Sequence, residues 1–432
     1  MQNSAHLLRT RRFLPIFVTQ FLGAFNDNLF HTSMVMLVIY GIYRDATQEA
    51  TFSAIAGGLF ILPFFLLSAL SGQLADERDK AKIVRIVKTA EILIMIVGAA
   101  GLLLHNVPLL LAALAAMGVH STFFGPIKYA ILPQHLGKDE VLGGTGLVEA
   151  GTYIGILGGT LLGGVLVVQN PDGTFHAEWA ALGVLLVASI GRIAGHYVPA
   201  APPDPDAPPF RMDWHIVRAS IRLVNATMHV PRLFLAILAI SFFWAMGAVL
   251  AAQFPPLVKN ALGSDQTVAT LFLATFSVGV AIGSVAVNRL LKGQVSARYS
   301  PSSALLMGLF ILDLYRRVRS WPPPPAQLRD LSAFWEVPNS WMVVLDLLGV
   351  AVAGGMFVVP LYAFLTTTVS KAETARTIAA NNIVNSGLMV AATLILTVAV
   401  QMGVTVADSL LIVAVGSIVA AWLGWKLHVA CD

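Results

Sequence analysis

GQLADERDKAK, residues 72–82, holds six charged residues in eleven, and it separates two apolar stretches, 52–74 and 83–104. Each stretch has the roughly 20 residues that a helix needs to cross a hydrocarbon core. A segment so densely charged cannot lie inside that core, so it is a tight loop at a membrane surface between two spanning helices.

Working outward, the same alternation fills the chain. Of 432 residues 57% are hydrophobic and 12% charged, with a mean hydropathy of +0.77, whereas ordinary soluble domains carry about 25% charged residues. Spans are predicted near 13–41, 52–74, 83–104, 107–132, 141–168 and 178–198, and again near 232–254, 266–290, 299–315, 340–366, 375–402 and 405–428. The ninth is short and runs into Arg316, Arg317, Arg319 and the prolines 322–325, so a tilted or broken helix is expected there.

An even number of spans puts both termini on one side, and Lys and Arg mark the cytoplasmic loops. Arg78, Lys80, Lys82, Lys138, Arg298, Lys371 and Arg376 fall in loops of that side, whereas Arg44 and Lys259 are isolated on the other. The arginine-rich loop after the ninth span is the exception. Residues 199–209 contain six prolines in eleven and form a stiff spacer. The expected divisions are therefore a six-helix half over 1–198, a linker with an amphipathic helix over 199–231, and a second half over 232–432. In that helix Arg211, Arg218 and Arg222 share one face and Trp214, Val217, Ile221 and Val224 another, which suits either a lipid surface or a solvated connector.

A repeat joins the halves. Gly72, Ala75 and Arg78 recur with the same spacing as Gly283, Ala286 and Arg289. A shift of 233 residues places Lys138 on Lys371, Glu140 on Glu373 and Glu149 on Asn382. Parallel six-helix repeats with a site between them are one construction of an alternating-access transporter. In such a machine Gly72, Asp76 and Arg78 form a gate, Asp76 pairing with basic residues of the other half in a contact of at most a few kcal/mol. The plainer alternative is a solvated charge run that only sets topology.

Ionisable groups inside spans cost roughly 2.5–3.5 kcal/mol each on insertion scales and mark function by default. The candidates for substrate binding are Asp27 with Asn28, Gln20 and His31 in the first span, Lys128 in the fourth, Glu149 in the fifth, and Asn381, Asn382 and Asn385 in the eleventh. Glu91, Asp313 and Asp346 are weaker candidates. Glycines at every fourth position, Gly151, Gly155, Gly159 and Gly163, with Gly279 and Gly283 in the eighth span, make stripes for close helix approach. Packing alone accounts for both stripes; in a two-half transporter they would also be the surface on which the halves rock.

Several chemistries are excluded. The single cysteine, Cys431, gives no disulfide framework and no Cys-rich metal site. There is no glycine-rich phosphate loop, no histidine pair at metal spacing and no His-x-x-x-x-Asp motif, so neither an enzyme nor a metal or organic cofactor is expected. The net charge of +4 is spread over loop ends rather than gathered in a nucleic-acid patch. Arg9, Arg11 and Arg12 precede a stretch too long for a signal-peptide core.

The loop at 72–82 resembles the loop between helices 2 and 3 of the major facilitator superfamily, keeping Gly72, Leu74, Ala75 and Asp76 but with Asp79 where glycine is usual. With QFLGAFNDNLF (20–30), FFGPIKYAILPQHL (123–136), GTGLVEAGTYIGILGG (144–159), GGMFVVPLYAFL (354–365) and IAANNIVN (378–385), the chain is similar to the lysophospholipid transporter branch. The segment SFFWAMGAVLAAQFPPLVKNALG (241–263) is closest to transporter portions fused to an acyltransferase and an acyl-carrier-protein ligase. The resemblance implies an all-α membrane protein of twelve helices in two halves that imports lysophosphatidylethanolamine or its relatives across a bacterial inner membrane for reacylation. It implies a monomer working beside an acyltransferase, with Asp27 meeting the headgroup ammonium and Lys128 or an asparagine the phosphate. The arginine that relatives carry in the seventh span falls on Ala251. The residues leave open whether transport is coupled to Na⁺ or H⁺, and they leave open a proton-coupled drug or metabolite exporter using Asp27 or Glu149 and a membrane subunit that presents lipid to an acyltransferase.

Overall fold

An apolar run in hydrocarbon has no water for its backbone, so it must satisfy its own hydrogen bonds as a helix. The computed structural model describes residues 4–169, 175–202, 213–291, 296–367 and 371–431. Twelve long helices follow one another: α1 Leu14–Met36, α2 Ala46–Glu77, α3 Lys80–Leu103, α4 Val107–Ala130, α5 Lys138–Leu166, α6 Glu178–His196, α7 Pro231–Asn260, α8 Gln266–Leu290, α9 Ser300–Arg319, α10 Ser340–Thr367, α11 Lys371–Gln401 and α12 Ser409–Cys431. Among the described residues nine are long and apolar enough to cross a membrane. Of the other three, α1 and α9 have spanning length but are diluted by Asn26–Asn28 and by Asp313 with three arginines, and α5 has a shorter apolar stretch, Ala150–Leu166, among the described residues.

Two compact units emerge, Met1–Gly41 with Leu66–Ala219, and Ile42–Phe65 with Ser220–Asp432. In the first, α1 lies along α5, and α3 packs on α4 and α6. In the second, α8 lies along α10, α9 packs on α10 and α12, and α7 on α11 and α12. Of the expected linker, residues 203–212 lie outside the described residues, but the amphipathic helix is present as Ile216–Met228. Its apolar side, Trp214, Val217 and Ile221, is exposed, and Arg218 is tied to Asp213 at 2.7 Å.

The glycine stripes seat a neighbouring helix of their own unit. A Cβ on Gly155 would sit 2.8 Å from the Phe21 carbonyl, one on Gly163 the same distance from the Leu29 carbonyl, and one on Gly159 would collide with the Phe25 carbonyl. Gly151 meets the Phe17 ring. All four seat α1, a helix of the same unit. Gly279 and Gly283 likewise seat α10, at Ala351 and Val352. The stripes therefore serve packing inside each unit, where backbone contact replaces the hydrophobic drive that lipid abolishes. Gly159→Ala is expected to cost about 1–3 kcal/mol by overpacking, read as a lower melting temperature in detergent. Gly72→Ala, whose added Cβ meets nothing within 4 Å among the described residues, should leave that temperature unchanged; equal drops would refute the assignment.

The ninth helix is corrected, running unbroken to Arg319. One of its arginines is spent locally, while Arg316 and Arg319 are exposed and the charge anomaly stands. Arg317 bridges Asp313 at 2.6 Å and Asp346 at 2.8 Å. Downstream, Arg329 donates to the Leu262 carbonyl at 2.7 Å, and Trp321 Nε1 to the same oxygen at 3.1 Å. The α7–α8 turn that receives them needs Gly263, whose φ is 59°. Lys259 is likewise neutralised, by an ion pair with buried Glu49, whose second oxygen accepts from Asn260 at 2.7 Å.

At the loop that opens the sequence reading, Asp79 is the N-cap of α3, accepting from the Ala81 and Ala201 amides at 3.0 Å each. Burial pulls its carboxyl up, but the Ala201, Ala81 and Lys82 amides and the Lys82 charge outweigh that and hold it below the usual carboxylate range. Glu140 at the start of α5 is held at about 2 by the Gly137 amide first and Arg12 next. Through Arg12, at 2.6 Å, it ties the starts of α1 and α5.

Candidate functional site

The first unit encloses a polar cluster built from α1, α3 and α4. α1 supplies Asn26 and Asp27, α3 supplies Lys88 and Glu91 one turn apart, and α4 supplies His120 and Ser121. Lys88 Nζ donates to Glu91 Oε2 at 2.6 Å, and Asn26 Nδ2 to Glu91 Oε1 at 2.9 Å. His120 Nε2 lies 3.4 Å from Glu91 Oε2, and its Nδ1 3.4 Å from Ser121 Oγ. Ser121 Oγ in turn donates to Asp27 Oδ2 at 2.5 Å. The chain of contacts thus runs from Lys88 through Glu91, His120 and Ser121 to Asp27.

Local sequence makes the room. The Lys88 stem passes between Gly191 and Gly195 of α6 and Gly23 of α1, where an added Cβ would lie 3.0 Å from its ammonium. The same ammonium stands 5.1 Å from the centre of the Phe124 ring. Lys88, Glu91 and Asn26 are essentially inaccessible, with relative exposures of 0%, 1% and 0%. Buried charges survive only when paired and hydrogen bonded, and Glu91 is.

Asp27 is not fully served. Its Oδ1 is buried with no hydrogen bond among the described residues. Two carboxylates share one ammonium and one imidazole, so the cluster is short of positive charge unless a proton or a cationic ligand joins it.

Sequence reasoning missed most of this cluster. Asn28 donates into its own helix, to the Ala24 carbonyl at 2.8 Å, while Asn26 enters the cluster instead. Gln20 turns to Thr152 of α5 at 2.8 Å, and His31 is half-buried a turn beyond Asp27. Glu91, a weaker candidate from the sequence, is near mid-helix and central to the cluster, and Lys88, His120 and Ser121 went unmarked. Lys88 and Glu91 at i and i+3 within an apolar span were the available signal.

Lys128 lies in the last turn of α4, half-buried. The side chains of Glu149 and Asp76 lie outside the described residues, as do those of Lys138, Lys371 and Glu373. Arg78 is exposed. In the second unit Asn381 is fully buried and neither its Nδ2 nor its Oδ1 is hydrogen bonded among the described residues, and Asn385 Oδ1 is in the same condition. Asn382 is exposed. Asn381 and Asn385 share a face of α11, one turn apart.

Comparison with known proteins gives a consistent answer. The profile described as Major Facilitator Superfamily matches residues 16–393. A lysophospholipid transporter of Escherichia coli O157:H7 (strain EC4115 / EHEC) is 26% identical over 450 aligned residues, covering 99% of this chain and 100% of that protein. One of Pectobacterium carotovorum subsp. carotovorum (strain PC1) is 26% identical over 362 residues, 83% of this chain and 79% of that one. Among solved structures, a D-xylose-proton symporter superposes with a TM-score of 0.72 at 12% identity, over 96% of this chain and 97% of the other. A bacterial homologue of the lysosomal transporter Spinster gives 0.68 at 15%, over 99% and 98%.

Proposed function

Since the chain belongs to the Major Facilitator Superfamily and is a transporter rather than an enzyme, we propose that its cargo is a lysophospholipid such as lysophosphatidylethanolamine. It moves from the outer to the inner leaflet of a bacterial inner membrane by alternating access, and is reacylated there by an acyltransferase partner. The protein works as a monomer with both termini in the cytoplasm.

The observation that carries this reading is the unserved Asp27 oxygen in a buried cluster short of positive charge. A zwitterionic headgroup supplies an ammonium of the missing sign. Lys128 stands seven residues along α4 from Ser121, on the same face, as a long-armed partner for the phosphate. The relatives that match nearly the full chain carry the name of lysophospholipid transporters, which supports the same substrate class.

The buried carboxylates also suit a proton-coupled exporter of small metabolites. Uptake separates the two readings. Spheroplasts carrying the protein should internalise labelled lysophosphatidylethanolamine, and collapse of the pH gradient should leave the initial rate unchanged. No internalisation sinks the lipid reading. Drug extrusion that depends on the gradient would favour the exporter.

A further inference from the structure

Next to the buried cluster, whose His120 forms part of the lining, α2, α3 and α4 leave a cavity of about 840 Å³ in the first unit. Specific sites for small molecules span about 300–1,000 Å³. Ile86, Ala90 and Ile94, one stripe of α3, face Ala116 and Val119 of α4 across it, and Arg78, Asp79 and Lys82 stand at one end. Ile86 is 68% exposed and Val119 37%, so the groove opens at the surface of the first unit, and an exposed apolar stripe on a spanning helix suits lipid.

The internal repeat shows why the groove is there. In the second unit Gly283 of α8 receives the α10 backbone at Val352 so closely that a Cβ has no space. Its counterpart in the first unit, Gly72 of α2, has nothing within 4 Å among the described residues. There α2 reaches α4 through a hydrogen bond, Ser71 Oγ to the Thr122 carbonyl at 2.8 Å. The contact that closes one unit is left open in the other. An apolar slot on a lipid-facing surface is filled by what the bilayer supplies, an acyl chain.

The rim selects the headgroup. Asp79 spends one oxygen on the Ala81 and Ala201 amides as the cap of α3. Arg78 and Lys82 are exposed, and Asp79, on which the Lys82 charge acts, leaves the three-residue rim with a net positive charge. Two cations at the end of an apolar slot complement a phosphate at the end of an acyl chain. We propose that this groove binds one acyl chain of a resident bilayer phospholipid whose phosphate is held by Arg78 and Lys82.

The test is native mass spectrometry of the full chain purified in mild detergent, with dioleoylphosphatidylglycerol added back. The unaltered protein should retain one phospholipid, and Arg78→Gln with Lys82→Gln should lower retention at least ~10-fold, as loss of charged hydrogen bonds does. Ala90→Phe, which fills the slot and spares the rim, should lower it as well, while Lys426→Gln on α12 should not. Retention unchanged in the rim variant, or in the filled variant, overturns the proposal. So does recovery of lysophospholipid alone, which would make the groove part of the cargo's route. Melting temperatures that rise with added lipid only in the unaltered protein and in Lys426→Gln support it without relying on purification yield.

Discussion

Glu91→Ala is expected to lose most of the folded protein from the membrane. The change leaves Lys88 at 0% exposure with its ammonium between helices and no carboxylate beside it, and breaking a buried pair from one side costs about 3–5 kcal/mol. That is a large part of the about 5–15 kcal/mol by which domains are stable. Asn26 and His120 lose a partner in the same step, so the effect spreads to α1 and α4. The expected readout is a collapse of the monodisperse fraction in fluorescence size-exclusion. The double change Lys88→Met with Glu91→Leu removes both charges and should recover folding, because apolar replacement of a whole buried pair is often neutral. Uptake should not recover with it, since the contacts behind Ser121 and Asp27 are gone. If the single and double variants fold equally poorly, the pair is not what holds the three helices in register.

This cluster also marks where sequence reading stops. The loop 72–82, the apolar blocks and the proline spacer predict twelve helices, because each signal is local: a run either can or cannot live in hydrocarbon. Asp27 was visible for the same reason, as a charge inside such a run. What Asp27 touches was not, since that depends on which faces of α1, α3 and α4 meet. Asn26 and Asn28 flank it equally in sequence, yet one joins Glu91 and the other its own backbone. The glycine stripe on α5 announced a close neighbour without naming α1. Arg317 read only as part of an arginine run at the end of α9, because one of its carboxylate partners, Asp346, lies 29 residues away on α10.

Asp27→Asn tests the transport reading most directly. The variant keeps a side chain of the same shape, and its amide oxygen can still accept from Ser121, so folding and the melting temperature should be preserved. What it removes is the charge on the oxygen that has no hydrogen-bond partner among the described residues. Loss of one member of a buried charged contact costs about 2–5 kcal/mol, at least roughly 30-fold in uptake at limiting substrate. Lysophosphatidylethanolamine uptake should fall by that factor, whereas Ser121→Ala, which only loosens the carboxylate, should fall less. A lysophospholipid with a phosphate but no ammonium, lysophosphatidylglycerol, is the deciding comparison. Its uptake should be nearly the same in Asp27→Asn as in the unaltered protein, because the lost charge has nothing to meet on that headgroup. An equal fall for both lipids would mean that Asp27 serves the conformational cycle and not the headgroup, and the ammonium assignment would have to move to another carboxylate.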